Sequence, residues 1–201
     1  KALKGLRAVK SAGMVGVKIN TVVMRGVNDD ELVDLVQFGQ KEEIEVRFIE
    51  YMDVGGATQW SSSKVVPRNE VLELLGGALG GIQSLHSAPS APAQRFSTGT
   101  GAVFGLISSV SEPFCGHCDR SRLTADGMWY LCLYARDGLN IRKMIRGGMT
   151  DQSIKEEVQS AWAQRTDRGA EERMAVEDRK PLFEIESLRT NPHLEMHTRG
   201  G

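Results

Sequence analysis

The chain has 201 residues, with 25 Lys+Arg against 26 Asp+Glu, a net charge of -1, 40% apolar residues and 25% charged ones. A chain of this length buries roughly 70% of its unfolded surface, and the composition is that of a globular protein, not of a disordered one. The near-zero charge argues against a broad nucleic-acid surface, no apolar run approaches the roughly 18 residues of a membrane helix, and three cysteines, an odd number, argue against a disulfide framework.

Residues 2–12 predict an amphipathic helix, with Leu3, Leu6 and Val9 at spacings of three and Gly13 as its stop. The pattern is already helical at Lys1 and no initiator Met or signal peptide precedes it, so a piece of a longer chain is expected. Residues 15–24 are rich in β-branched side chains and predict a buried strand. Arg25-Gly26-Val27-Asn28 predicts a turn, after which Asp29 and Asp30 are placed to cap a helix carrying Leu32, Leu35, Val36 and Gly39 on one face. Residues 44–52 predict a second strand, with Arg47, Ile49 and Tyr51 on one side and Val46, Phe48 and Glu50 on the other.

Helix, strand, helix and strand joined by short loops imply parallel strands with crossover helices, the end of an α/β barrel or of an open sheet. Two strands cannot make a parallel sheet covered on both faces, so further strands are expected before Lys1 or in another chain. Lys18, Asn20, Arg47 and Glu50 are polar residues within apolar strands. Either they reach solvent near strand ends, or they point into a polar barrel mouth and hold an anionic ligand, where barrel sites gather.

After Met52, Asp53-Val54-Gly55-Gly56, Trp60 and a serine run predict a loop able to fold over a site. Pro67 opens a helix over 68–76 with Val71, Leu72 and Leu75 as its core face. Residues 76–92, rich in Gly, Ala, Ser and Pro, predict a connection, in which His86 is a surface residue. A strand at 102–110 leads into the cysteine segment. Domain boundaries are expected at 1–77 and 78–201. Further on, residues 150–165 predict a helix capped by Thr150 or Asp151, with Ile154, Val158 and Trp162 as packing residues. The charged stretch 166–190 is expected to be mobile.

Cys115, Cys118 and Cys132 are spaced C-x2-C-x13-C, and Asp126-Gly127 supplies a hairpin turn that returns Cys132 towards the other two. Four readings follow. Cys-Gly-His-Cys matches a dithiol redox tetrapeptide, but such chemistry uses a CxxC at the start of a helix. Structural zinc would need a fourth ligand such as His117. Three buried thiols without function are the plain reading. A [4Fe–4S] cluster on three cysteines would leave one iron open. Arg120 and Arg122 lie one strand period apart, as guanidiniums gripping a phosphate-rich substrate would; Arg136, Arg142, Lys143 and Arg146 follow and are as readily scattered surface charges.

Taken in order, Val17-Lys18-Ile19-Asn20-Thr21, Arg25-Gly26-Val27-Asn28-Asp29, Arg47-Phe48-Ile49-Glu50 with Met52-Asp53-Val54-Gly55, Phe114 through Gly127, and the final Gly200-Gly201 resemble the GTP 3',8-cyclases of molybdenum cofactor biosynthesis, the MoaA family of radical S-adenosylmethionine enzymes. The resemblance covers nearly the whole chain. It implies an α/β fold: the C-terminal part of an incomplete, TIM-like barrel, followed by a small α+β module carrying a three-cysteine [4Fe–4S] cluster. It implies that Cys115, Cys118 and Cys132 are the cluster ligands, that Arg120, Ser121 and Arg122 hold GTP with Lys18 and Arg47, and that Met52 and Asn20 touch S-adenosylmethionine. Arg120, Arg122, Gly200 and Gly201 are the implied catalytic residues, the glycine tail reaching into the site where only a side-chain-free backbone fits closely.

The family's other [4Fe–4S] cluster sits on a CxxxCxxC that this chain lacks. That cluster generates the 5'-deoxyadenosyl radical which takes hydrogen from C3' of GTP, so that C3' can join C8. The resemblance therefore implies the C-terminal part of the enzyme, inactive alone, from a full-length protein expected to be a homodimer in the cytoplasm, or in the mitochondrial matrix of a eukaryote, with no membrane or nucleic-acid partner. The other class of function open to the sequence is a non-catalytic zinc- or nucleotide-binding module.

Overall fold

The computed structural model describes residues 2–199. Two compact units divide them: residues up to Glu50 together with Val66–Ser108, and Tyr51–Val65 together with residues from Ser109 onward. The first unit therefore runs past the boundary expected at 77–78. The reason is strand pairing, since the strands that follow that point complete the same sheet.

The first unit holds α1 (Ala2–Ser11), β1 (Lys18–Val23), α2 (Leu32–Glu42), β2 (Glu45–Glu50), α3 (Arg68–Leu79), β3 (Ile82–Leu85), β4 (Gln94–Thr98) and β5 (Val103–Ile107). Its sheet has the order β1-β2-β5-β4-β3. β1 pairs with β2 and β2 with β5 in parallel, while β4 pairs antiparallel with both β5 and β3. The result is a mixed α/β sheet in which the Gly- and Ser-rich stretch expected as a plain connection contributes β3.

Period two splits the sheet into an apolar and a polar face. Val23, Val46, Phe48, Phe96, Phe104 and Leu106 form the apolar one, buried beneath Leu32 and Val36 of α2 and Val71, Leu75 and Leu79 of α3. Phe104 is central, its ring 5.5 Å from Phe96 and 6.2 Å from Phe48. Gly39 lets α2 lie close on β2, because a Cβ there would stand 2.7 Å from the Ile44 carbonyl oxygen and 2.8 Å from Val46 Cγ2. Glu50 is buried at the end of this face and accepts the Arg68 backbone N–H at 3.0 Å.

The cap expected of Asp29 and Asp30 is not made. The residue before α2 is Glu31, with no side-chain cap; Asp29 instead accepts the Gly26 N–H at 2.8 Å and closes the preceding turn, where Gly26 has φ +73°. α1 buries no residue, and Leu3 on it, Val22 on the sheet-edge strand β1, and Met14, Val15 and Val27 in the connections on either side of β1 are exposed.

The second unit holds β6 (Arg122–Leu123), β7 (Met128–Tyr130), β8 (Leu139–Asn140), α4 (Ile141–Arg146), α5 (Asp151–Ala163), α6 (Gly169–Met174) and α7 (Ile185–Thr190). The three strands form an antiparallel sheet in the order β6-β7-β8. Thr150 caps α5 by accepting the Ser153 N–H at 3.1 Å. α5 packs less deeply than expected: Ile154 and Val158 are half-buried and none of its residues is fully buried. Trp162 is 39% exposed and stacks on Trp129, with ring centroids 6.3 Å apart. A small core of Phe183, Leu188 and Leu194 lies further along the chain. No helix among the described residues is long and apolar enough to cross a membrane.

Candidate functional site

The cysteine loop is built from three local devices in the second unit. Cys115–His117 form one 3-10 turn, closed by the Cys118 N–H on the Cys115 carbonyl at 3.2 Å. The β6–β7 hairpin then turns at Thr124–Gly127: the Thr124 hydroxyl donates to Asp126 at 2.6 Å and accepts the Met128 N–H at 2.9 Å, while Gly127 takes φ +86°. Cys132 follows β7, as the hairpin requires. The Tyr134 N–H donates to its sulfur at 3.4 Å. The CxxC thus lies in a 3-10 turn and not in the first turn of an α-helix, so the dithiol redox reading lacks the helix dipole on which it depends.

All three cysteines are free and partly buried, and cations surround them. Arg120 and Arg165 both donate to the Cys118 sulfur, at 3.5 and 3.6 Å. Burial would raise the Cys118 thiol, but the Arg120 backbone N–H and these two guanidiniums outweigh it and hold its pKa below the ordinary thiol value. The Cys132 thiol is pushed up, chiefly by burial, with Asp167 and the nearby Cys115 adding to the rise. Since the thiolate is the nucleophile, Cys118 is expected to react with iodoacetamide ahead of Cys132 at neutral pH in metal-free protein. Mass spectrometry of partly alkylated protein reads the order, and equal rates would contradict the arrangement.

Arg122 is largely desolvated, and burial followed by the neighbouring Arg120 charge lowers its pKa against the opposing pull of Cys132 and Cys118. Its guanidinium still carries its proton at neutral pH. Among the described residues neither Arg120 nor Arg122 has a carboxylate at ion-pair distance, and the Arg120 Nε is buried without a partner. Arg120 lies 4.3 Å above the Phe114 ring. Ser121 is exposed and accepts the Trp129 indole N–H at 2.9 Å. Gly169, at the start of α6, packs against this corner: a Cβ there would lie 2.5 Å from Tyr134 Cβ and 3.1 Å from Cys132 Sγ. Gly169→Ala is therefore expected to cost about 1–3 kcal/mol through overpacking, read as a lowered thermal midpoint; an unchanged midpoint would show that this corner yields freely.

No group of three or more His, Cys, Asp or Glu side chains among the described residues is arranged to hold a metal ion. That bears on structural zinc, which needs its ligands about 2.3 Å from a single ion. A [4Fe–4S] cluster spreads its thiolates over separate irons. The three free cysteines, with Arg120 and Arg165 donating to the Cys118 sulfur, are thiol donors of the kind that either group uses.

A second polar centre, which no residue spacing connects, lies in this unit. Asp53 is fully buried and accepts from Arg173 at 2.7 Å, from Arg179 at 2.9 and 2.6 Å, and from the Tyr134 hydroxyl at 3.2 Å. Gly55 (φ +57°) and Gly56 extend this cradle, where added Cβ atoms would meet Met196 at 2.5 Å and Glu195 at 2.8 Å. Arg199 is buried, donates to the Leu133 carbonyl at 2.8 Å and to the His193 carbonyl, and lies 4.2 Å above the Tyr130 ring. The loop expected to fold over a site thus meets Arg173, Arg179, Glu195 and Met196, and the stretch 166–190, expected to be mobile, is held at Arg173 and Arg179. Gly200 and Gly201 lie outside the described residues. Met52, half-buried, immediately precedes Asp53.

In the first unit, Lys18, Asn20 and Arg47 share the polar sheet face, Asn20 standing opposite Arg47 in register. Gly105 opposes Arg47 on the other side, and a Cβ there would lie 3.0 Å from Arg47 Cγ. Glu45 accepts from Arg47 at 2.7 Å and from Arg95 at 2.8 Å, so Arg47 is already paired, whereas Lys18 is exposed and donates to the Gly16 carbonyl at 3.3 Å. His86 is exposed, as expected.

Residues 44–171 match the family model described as Molybdenum Cofactor Synthesis C. The chain belongs to that family. It is 50% identical over all 201 residues to GTP 3',8-cyclase 1 of Mycobacterium tuberculosis, covering 56% of that protein. It is 49% identical to GTP 3',8-cyclase 3 of Mycobacterium bovis, covering 53%, and 38% identical over 180 residues to GTP 3',8-cyclase of Staphylococcus aureus, where 87% of this chain covers 53% of the relative. The chain thus spans about half the length of these relatives, and the family match takes in both the strand β2 and the whole cysteine loop.

Proposed function

We propose that the protein containing this chain is a GTP 3',8-cyclase, converting GTP to 3',8-cyclo-7,8-dihydro-GTP by S-adenosylmethionine radical chemistry in molybdenum cofactor biosynthesis. The observation that carries the proposal is the pairing of three free cysteines with Arg120 and Arg122, two guanidiniums that no carboxylate neutralises among the described residues. Half-buried guanidiniums without carboxylate partners favour an anionic ligand, and a triphosphate supplies one.

In this reading Cys115, Cys118 and Cys132 hold a [4Fe–4S] cluster, which when bound supplies an iron with an open position for the guanine. Arg120 and Arg122 grip phosphate oxygens with their planar forks, and Ser121 offers a hydroxyl beside them. Lys18 and Arg47 are further GTP contacts; for Arg47 this means sharing its guanidinium with Glu45. Asn20 and Met52 touch S-adenosylmethionine, and Gly200-Gly201 supply a close-fitting backbone. The edge strand β1, with exposed apolar neighbours, suits a sheet that continues into further strands of a partial α/β barrel, in keeping with relatives about twice as long. The full-length protein would be a homodimer in the cytoplasm, or in the mitochondrial matrix of a eukaryote.

The test is anaerobic turnover by full-length protein with GTP, S-adenosylmethionine and a reductant, the cyclised nucleotide being read by mass spectrometry. Wild type should form it and Cys132→Ala should not. Formation at the wild-type rate by Cys132→Ala would remove the cysteine loop from the reaction.

A further inference from the structure

Arg165 follows α5, more than thirty residues beyond the cysteine segment, and no spacing in the sequence connects the two. Its side chain is only 11% exposed, and nearly every donor on it has a partner. Nη1 donates to the carbonyl oxygens of both Cys118 and Arg120, at 3.0 and 3.1 Å. Nη2 donates to the Cys118 sulfur at 3.6 Å. Nε donates to Asp167 at 3.0 Å, and the guanidinium plane lies 5.1 Å from the Trp162 ring, which in turn stacks on Trp129.

The two carbonyls bracket the short segment Cys118-Asp119-Arg120. Holding both fixes the directions of two side chains at once: the Cys118 thiol and the Arg120 guanidinium, which itself donates to that thiol. A planar fork can bridge two carbonyls and a sulfur in this way, whereas a lysine ammonium, as a compact point charge, cannot. Hydrogen bonds to a ligating sulfur also stabilise the more negative, reduced state of a cluster and are one of the determinants of its potential.

We infer that Arg165 is a positioning residue for the cysteine loop: it sets the Cys118 ligand and the Arg120 guanidinium in register through their carbonyls and raises the reduction potential of the cluster through its bond to the Cys118 sulfur. The inference rests on the cluster reading above, and the experiment separates the two.

Full-length protein is loaded anaerobically with iron and sulfide as wild type, Cys118→Ala, Arg165→Gln and Arg165→Lys. The iron and the EPR signal missing from Cys118→Ala identify the contribution of this site. In Arg165→Gln that iron is expected to be held about 10- to 100-fold less strongly in competition with a chelator, and the midpoint potential of the signal to move to more negative values, with circular dichroism unchanged. Arg165→Lys, which keeps the charge but not the fork, should fall between the two, and it carries the test if Arg165→Gln fails to fold. Wild-type retention and potential in Arg165→Gln, or full restoration by lysine, would overturn the positioning role while leaving the cluster in place. A Cys118→Ala protein that keeps all its iron would overturn the cluster reading and this inference together.

Discussion

Asp53→Ala is expected to destabilise the second unit by about 3–5 kcal/mol, the scale for removing one partner of a buried ion pair. For a chain of this size that corresponds to a fall of roughly 10 °C in the thermal midpoint. The carboxylate has no solvent-exposed surface, and its loss leaves Arg173 and Arg179, 20% and 8% exposed, without a counter-charge. Adding Arg179→Met to Asp53→Ala should recover part of the loss, because it removes the stranded cation. A midpoint within about 2 °C of wild type would contradict the clamp.

The same group sets an acid limit. Burial would raise the Asp53 carboxyl, but hydrogen bonds and charge from Arg179 and Arg173 prevail and hold it below its ordinary value of 3.8. A depressed carboxylate contributes its full stabilisation above the unfolded-state value and loses it as pH falls through the folded one. The extra acid sensitivity that Asp53 confers should therefore develop below about pH 4 and be missing from Asp53→Ala.

Arg122→Ala is expected to weaken GTP binding about 100-fold, near 2.7 kcal/mol, the range for losing a desolvated, charge-assisted contact. Arg122 is half-buried beside Arg120 and the thiols of Cys132 and Cys118, so a ligand anion meets it in a medium that screens less than bulk water. Arg146→Ala, on the exposed end of α4, should change affinity by no more than about twofold. Equal effects from the two substitutions, read by calorimetric titration of full-length protein, would turn Arg122 into one more general surface charge.

Local chemistry was legible in the sequence. The β-branched run at Lys18–Val23, the alternation at Glu45–Glu50, the Asp126-Gly127 turn and the Thr150 cap are short-range devices, and each forms where its residues stand. β3 was hidden because Ile82-Gln83-Ser84-Leu85 lies between glycines and a Ser/Pro stretch, with two of its four side chains exposed. β4, with Phe96 as its main buried apolar residue, was equally faint. The boundary at residue 77 missed because β5 returns to pair with β2, a long-range choice that no composition shift announces.

In the candidate site, the cysteines and Arg120 with Arg122 could be read from spacing, whereas Asp53 and Arg165 could not. Their partners lie 120 and 126 residues away for Asp53 and 47 and 45 for Arg165. The available signal was compositional: an aspartate ahead of two glycines after a strand, and a tail dense in arginine.

The claim that the three cysteines and their arginines form one GTP-responsive cluster site is tested most directly by EPR. The purified protein is reconstituted anaerobically with iron and sulfide, reduced, and measured with and without GTP. A reduced [4Fe–4S] signal that shifts on adding GTP, and is absent from the Cys115→Ala, Cys118→Ala and Cys132→Ala proteins, is the predicted result. Uptake of a single zinc ion, with no cluster and no response to GTP, would contradict the account and leave a zinc-binding module in its place.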